Sequence, residues 1–323
     1  MAFVTYAASL FDPIQQIASI FADFQSAQAS AERVIGLIDA PIQVQDRPEV
    51  MEKYGDVIHP KRENWEPITG NIRFEHVDFA YNPEEPVLTD FNLDIEAGQT
   101  IALVGETGAG KSTIVNLVCR FYEPTAGTIC IDGKDYRTRS QLWLQSSLGY
   151  VLQSPHLFSG TIADNIRYGR PDASMEEVKR AARLVHAEPF ILEQAKGYYT
   201  EVGEGGIRLS TGQKQLICFA RVILADPRIF VLDEATSSID TETEQLIQEA
   251  ITTVLKGRTS LVVAHRLSTI RNADRILVIR GGRILESGTH EELLALGGYY
   301  HDLYEHQFRE ERLHDAMKDV GME

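Results

Sequence analysis

Gly105, Glu106, Thr107, Gly108, Ala109, Gly110, Lys111, Ser112 and Thr113 constrain this chain more than any other nine residues of its sequence. They fit the pattern G-x-x-x-x-G-K-[ST], and their surroundings fit it as well. The apolar run 101–104 ahead of them reads as a buried strand, and residues 112–120 read as a helix. Glycine lets the backbone curl until successive N–H groups point at one anion. The helix N-terminus adds its partial positive charge. In such a loop Lys111 would reach the β- and γ-phosphates, and the Ser112 hydroxyl would ligate Mg2+. The sequence therefore predicts a nucleoside triphosphate site on a strand–loop–helix unit.

A chain of 323 residues holds one large domain or two modest ones. Its net charge of −16 argues against a phosphate-backbone binder, so no nucleic-acid partner is expected. Cys119, Cys130 and Cys218 lie far apart in apolar runs, without the C-x-x-C spacing of zinc sites. They read as free thiols in a reducing compartment. No window reaches the roughly 18–20 apolar residues of a membrane-spanning helix. Residues 1–11, MAFVTYAASLF, come nearest. Too short to cross a bilayer alone, they read as the last part of a longer helix.

Asp12-Pro13 reads as a helix start, a capping carboxylate followed by proline, with Gln15 placed to complete a capping box. Beyond it Ile14, Ile17, Phe21, Phe24, Gln28, Ala31, Ile35 and Ile38 recur in steps of three and four, a heptad seam with one polar member. A helix from residue 13 to 38 would be about 39 Å long, and its stripe calls for other long helices as partners. Residues 41–70 hold Pro41, Pro48, Pro60 and Pro67 among mixed charges and read as a linker. From residue 71 the pattern changes. Ile72, Phe74, Val77 and Phe79, then Phe91, Leu93 and Ile95, alternate like strands of a small antiparallel layer. The runs 128–131, 148–152, 229–232, 260–263 and 276–279 read as core strands, and 175–186, 211–225, 241–255 and 290–296 as helices. This alternation predicts an α/β core with a largely parallel sheet. Gly281-Gly282 reads as a hairpin turn, and residues 306–323 as a charged tail.

The strand 229–232 ends in Asp233 and Glu234. In phosphate-loop enzymes an aspartate at such a strand end holds Mg2+, and the adjoining glutamate is placed to act as general base on water. Leu209-Ser210-Thr211-Gly212-Gln213 opens a helix with Ser210 as N-cap. These segments resemble the signature LSGGQ, Walker A and Walker B motifs of the ABC (ATP-binding cassette) ATPases, in that family's order, with Thr211 where the consensus has glycine. Tyr81 resembles the A-loop aromatic that stacks on adenine. Gln153 resembles the Q-loop glutamine that contacts Mg2+ and the attacking water. Asp240 resembles the D-loop aspartate, and His265 the switch histidine that contacts the γ-phosphate. The seven elements stand in order over about 190 residues.

The resemblance implies an α/β fold: a P-loop ABC ATPase core with an antiparallel β subdomain and a helical subdomain, preceded by a long N-terminal helix. It implies a head-to-tail dimer in which ATP lies between one chain's Walker motifs and the other's signature. Glu234, His265 and Gln153 would be the catalytic residues. Tyr81, the loop from Gly105 to Thr113, Ser210, Gly212, Gln213 and Asp240 would hold the nucleotide, and Ser112, Gln153 and Asp233 the Mg2+. Residues 200–206, TEVGEGG, resemble the X-loop of ABC exporters, and residues 1–40 the end of a last transmembrane helix with its cytoplasmic extension. The expectation is the nucleotide-binding domain of a type I exporter, at 71–305, linked through 41–70 to a transmembrane domain that lies mostly outside this sequence. It would work at the cytoplasmic face of the cell membrane with a second nucleotide-binding domain, in a homodimer or a heterodimer. The alternative is a soluble ABC-type ATPase with a regulatory or assembly role, or a fragment that hydrolyses ATP without transport. The transported substrate is not legible, because specificity in this family lies in the membrane helices.

Overall fold

A computed structural model of the chain describes residue 6 and residues 11–152, 154–233, 241–264 and 266–307. It divides into two compact units, Met1–Gln45 and Asp46–Glu323. The first carries α1 (Phe11–Ile38). Its backbone is already helical at Phe11, so Asp12 sits inside the helix and does not cap its start. Ile14, Ile17, Phe21, Phe24, Ile35 and Ile38 of the predicted seam are all more than half exposed. Gln28, the polar member, donates to Glu32 one turn on, at 3.1 Å. Among the described residues no helix is long and apolar enough to cross a membrane.

The second unit is built on two sheets. β1 (Ile72–Asn82), β2 (Glu85–Ile95), β4 (Ala126–Ile131) and β5 (Lys134–Asp135) form an antiparallel sheet in the order β2-β1-β4-β5. β3 (Thr100–Val104), β6 (Leu148–Val151), β7 (Ile229–Asp233), β8 (Thr259–Val263), β9 (Arg275–Arg280) and β10 (Arg283–Gly288) form a sheet in the order β10-β9-β3-β8-β7-β6. All its pairings are parallel except β9–β10, which turns at Gly281-Gly282. The parallel strands are apolar along most of their length because both faces of the sheet's interior are covered. Ile101 and Leu103 of β3 enter one core with the antiparallel sheet, whereas Ala102 and Val104 enter the other with the helices.

The run 128–131 does not join the parallel sheet as its apolar character suggested. It is β4, paired with β1. Asp132 and Gly133 both adopt positive φ, a two-residue hairpin turn that returns the chain as β5. The Asp132 carboxylate also accepts the backbone N–H groups of Thr69, Gly70 and Asn71 at 2.8, 3.0 and 2.9 Å, fastening this turn to the root of β1. In β1 the step from Phe74 to Val77 breaks strict alternation. The break is a bulge, with the register shifting between those residues and His76 at φ 50°.

The remaining helices are α2 (Pro48–Tyr54), α3 (Lys111–Val118), α4 (Gln141–Ser146), α5 (Ile162–Arg167), α6 (Met175–Leu184), α7 (Glu188–Glu193), α8 (Thr211–Ala225), α9 (Thr241–Leu255), α10 (Leu267–Arg271), α11 (His290–Leu296) and α12 (Tyr299–Gln307). Capping boxes headed by Thr161, Ser174, Ser210 and Thr289 start α5, α6, α8 and α11. The helix expected to reach residue 186 stops at Leu184, because His186 turns to φ 57°. All three cysteines are free, and burial pushes the Cys119 and Cys218 thiols up.

Residues 46–70 pack onto this second unit. Val50 and Tyr54 are buried, and Trp143 Nε1 donates to the Glu66 carbonyl at 2.6 Å. Arg120 is the central clasp. It is 1% exposed and in the left-handed region, at φ 53°. Its Nη1 donates to Asp46 and to the Arg139 carbonyl, and its Nε to Glu123, each at 2.9 Å. Asp46 also accepts the backbone N–H of Gln141 at 3.1 Å, at the start of α4. Removing one partner of a buried, multiply bonded ion pair leaves the others desolvated and unpaired. Arg120→Ala should therefore lower unfolding stability by about 3–5 kcal/mol in urea denaturation. A loss under about 1 kcal/mol would show that the clasp contributes little.

Candidate nucleotide site

The phosphate loop leaves β3 at the centre of the parallel sheet. Leu103, Val263 and Asp233 share one rung of the pairing, Leu103 opposite Val263 and Val263 opposite Asp233. β3, β7 and β8 therefore end along one edge. Asp233 stands two strands from the root of the loop, about 10 Å at the usual strand spacing. This edge, at the carboxyl ends of parallel strands, is where ligands bind in open α/β sheets.

The loop is pressed onto its neighbours. A Cβ built on Gly105, at φ 149°, would lie 2.2 Å from the carbonyl oxygen of Ile279 in β9, so only glycine fits. Gly110, at φ 108°, caps α3, and Gly282 of the β9–β10 turn donates its N–H to the Ala109 carbonyl at 3.1 Å. Lys111 is 7% exposed and turns back into the loop, donating from Nζ to the carbonyls of Gly105 and Glu106 at 2.6 and 2.9 Å. Burial lowers its pKa, opposed by the charge of Asp233. Ser112 is exposed one residue further on, while Thr113 is buried.

Tyr81 stands near the end of β1, 51% exposed. Phe79 and Tyr122 hold its ring edge-on, with centroids at 4.8 and 5.0 Å. Its hydroxyl lies 3.3 Å from Thr113 Oγ1 and accepts from Asn116 Nδ2 at 3.3 Å, both on α3. The ring is thus fixed beside the helix that starts at Lys111, with part of its surface open. Tyr122 and Asn116 were not singled out in the sequence. Their signal is weak, since an aromatic after a helix end and an amide on a helix face have many uses.

Ser210 and Gln213 cap the start of α8 mutually. The Gln213 N–H donates to Ser210 Oγ at 3.2 Å, and the Ser210 N–H to Gln213 Oε1 at 3.1 Å. Thr211 is exposed at the first position of that helix, and Gly212 is buried. No hydrogen bond or ion pair among the described residues joins Ser210, Gly212 or Gln213 to the phosphate loop. The structure brings together Tyr81, the loop and Asp233, and the signature segment opens α8 with its own side chains as the cap. Gln153, Glu234, Asp240 and His265 lie outside the described residues. The segment 200–206 is pinned to the chain after residue 153: Ile162 N–H donates to the Thr200 carbonyl and Val202 N–H to the Gly160 carbonyl, both at 3.0 Å.

Residues 88–237 match the family model described as ABC transporter. The chain is 47% identical over 95% of its length to the ABC transporter ATP-binding protein YknV of Bacillus subtilis, covering 49% of that protein. It is also 47% identical, over 94% of its length, to the fatty acid ABC transporter ATP-binding/permease protein of Mycobacterium bovis, covering 46% of it. Among solved structures it resembles a bacterial Atm1-family ABC exporter with ATP bound. The TM-score is 0.74 and the identity 37%, over 94% of this chain and 51% of that one. The chain thus spans about half the length of the relatives it matches. With a phosphate loop, an acidic strand end and a signature segment set on this fold, the chain belongs to the ABC transporter ATP-binding proteins and carries their ATPase domain.

Proposed function

We propose that the chain hydrolyses ATP to drive export of a substrate across a membrane, as the nucleotide-binding part of an exporter. The observation that carries this reading is the shared rung that sets Asp233 on the loop's edge, with the charges of Lys111 and Asp233 acting on each other. Tyr81 would stack on adenine, with its partly exposed ring held by Phe79 and Tyr122. The loop from Gly105 to Thr113 would wrap the phosphates, and Lys111 would exchange loop carbonyls for phosphate oxygens.

The donor set fits Mg2+. Among the described residues no group of three or more acidic, histidine or cysteine side chains builds a metal site by itself. Mg2+ needs none, since it binds through one or two carboxylates together with substrate phosphates. Ser112 and Asp233, with Gln153, would hold it. Once bound, it neutralises the charge between the β- and γ-phosphate oxygens. Glu234 would take the proton of the attacking water, and His265 would contact the γ-phosphate.

Ser210, Gly212 and Gln213 would close over the ATP held by a second nucleotide-binding domain, in a head-to-tail dimer, with Asp240 at the same interface. Among the described residues no hydrogen bond or ion pair joins them to the chain's own loop, which supports this division. A homodimer and a heterodimer both satisfy it. Residues 71–305 would be the nucleotide-binding domain, 41–70 the linker, 306–323 a charged tail, and α1 the end of a transmembrane domain at the cytoplasmic face of the cell membrane. The open seam of α1 supports a helical partner. Tyr199 and Ile207, which flank the pinned segment 200–206 in the chain, are exposed and would meet the membrane helices.

Glu234→Gln should slow steady-state hydrolysis by about a hundredfold or more while ATP stays bound in a dimer on size-exclusion chromatography. Turnover at the parent rate would remove Glu234 as the base. Tyr81→Ala should raise KM for ATP about tenfold, the usual range for losing a base–aromatic stack, with kcat little changed; an unmoved KM would place adenine elsewhere. Because each site needs two chains, specific activity should fall as the protein is diluted. Activity per chain that stays constant down to nanomolar protein would contradict the shared site.

A further inference from the structure

Within the phosphate loop two residues carry charge, Lys111 and Glu106. A cation belongs in a loop that binds a triphosphate; a carboxylate in the same turn repels it. Glu106 nevertheless has a central place. Its main-chain carbonyl accepts from Lys111 Nζ at 2.9 Å and from the Ala109 N–H at 3.2 Å. Its side chain reaches the other way in the sequence, to the hydroxyl of Tyr299, which donates to Glu106 Oε1 at 2.6 Å.

Tyr299 is the first residue of α12 and is held at several points. Its N–H and that of Tyr300 donate to the two oxygens of Glu286, at 2.6 and 2.9 Å. This is a carboxylate on a helix N-terminus, where it is most stabilising. The guanidinium of Arg280 lies 4.9 Å from the centre of the Tyr299 ring. Tyr300 behind it is fully buried, with its hydroxyl 2.7 Å from His290 Nδ1. Arg280 closes β9, the strand whose Ile279 carbonyl abuts Gly105. Tyr299 and the loop are therefore set on one rigid support. The bond to Glu106 raises the pKa of Tyr299, so the phenol stays protonated and remains the donor.

We propose that Tyr299 is a positioning residue for nucleotide binding: it fastens the loop's one carboxylate to α12, keeping that charge from swinging onto the phosphates. The inference rests on the nucleotide reading of the loop. Without the phenol hydroxyl, the Glu106 carboxylate is free to sample positions near the bound triphosphate, and binding weakens by like-charge repulsion.

A double-mutant cycle on the full chain tests this, with Tyr299→Phe, Glu106→Ala and both together. It is read by equilibrium binding of TNP-ATP with Mg2+ and by steady-state hydrolysis. Tyr299→Phe should raise Kd and KM by about three- to tenfold, the scale of one hydrogen bond, with kcat near the parent value. That penalty should shrink as salt screens the repulsion. Glu106→Ala, which removes both charge and acceptor, should bind about twofold more tightly than the parent. In its background Tyr299→Phe should have no further effect. An equal loss in both backgrounds, or a loss indifferent to salt, would mean that the tyrosine acts by packing and would overturn the proposal; no loss in either background would overturn it too. A parent chain that binds no TNP-ATP would instead overturn the nucleotide reading and carry this inference down with it.

Discussion

The contact between Gly105 and the carbonyl oxygen of Ile279 fixes the rest of the site. With 2.2 Å where a Cβ would stand, the chain leaving β3 lies directly on β9. From that contact the loop inherits the position of the β9–β10 hairpin, whose Gly282 N–H then holds Ala109. Lys111 is buried within the turn so formed, and α3 starts in line behind it. Tyr81 is in turn located by α3, through Thr113 and Asn116. A loop that must curl around phosphates without rearranging is best built on packed strands, because the binding energy then need not organise the site.

Strands covered on both faces were the most legible part of the fold. Their continuous apolar runs at 229–232, 260–263 and 276–279 match β7, β8 and β9 to within a residue or so at either end. The capping residue Ser210 marked α8 equally well, since a side chain that bonds a backbone N–H two or three positions on is a purely local event. Sheet membership was less legible. The run 128–131 is as apolar as any core strand, and only the turn at Asp132-Gly133 and its long-range bonds to residues 69–71 assign it to the antiparallel sheet. Asp12 misled for the complementary reason. A capping carboxylate and a proline describe a helix start, but Asp12 already lies inside a helix that includes Phe11.

In the candidate site, motif residues were legible and their supports were not. The loop and Asp233 announce themselves by pattern, and Tyr81 through the family resemblance. Tyr122, Asn116, Arg280 and Tyr299 act through geometry between segments as far as 193 positions apart in sequence, and no local pattern encodes such a contact. Residues 46–70 carry prolines and mixed charge like a linker, yet part of the stretch is buried, because Arg120 needs Asp46 to satisfy its guanidinium. Composition reports the average solvent preference of a stretch, not whether one acid within it completes a buried ion pair.

The two backbone bonds between residues 160–162 and 200–202 give the helical part of this unit a seam. Thr161 and Glu201 are bridged as in a sheet, although some forty residues and several helices separate them in the chain. A force applied to either segment is delivered to both, because hydrogen bonds of this kind resist shear between neighbouring strands. One of these segments closes the stretch that begins after residue 153; the other opens the stretch that ends in the signature at Ser210. The bridge therefore works as a short mechanical splice, setting the distance between two surfaces that the covalent chain would by itself leave independent.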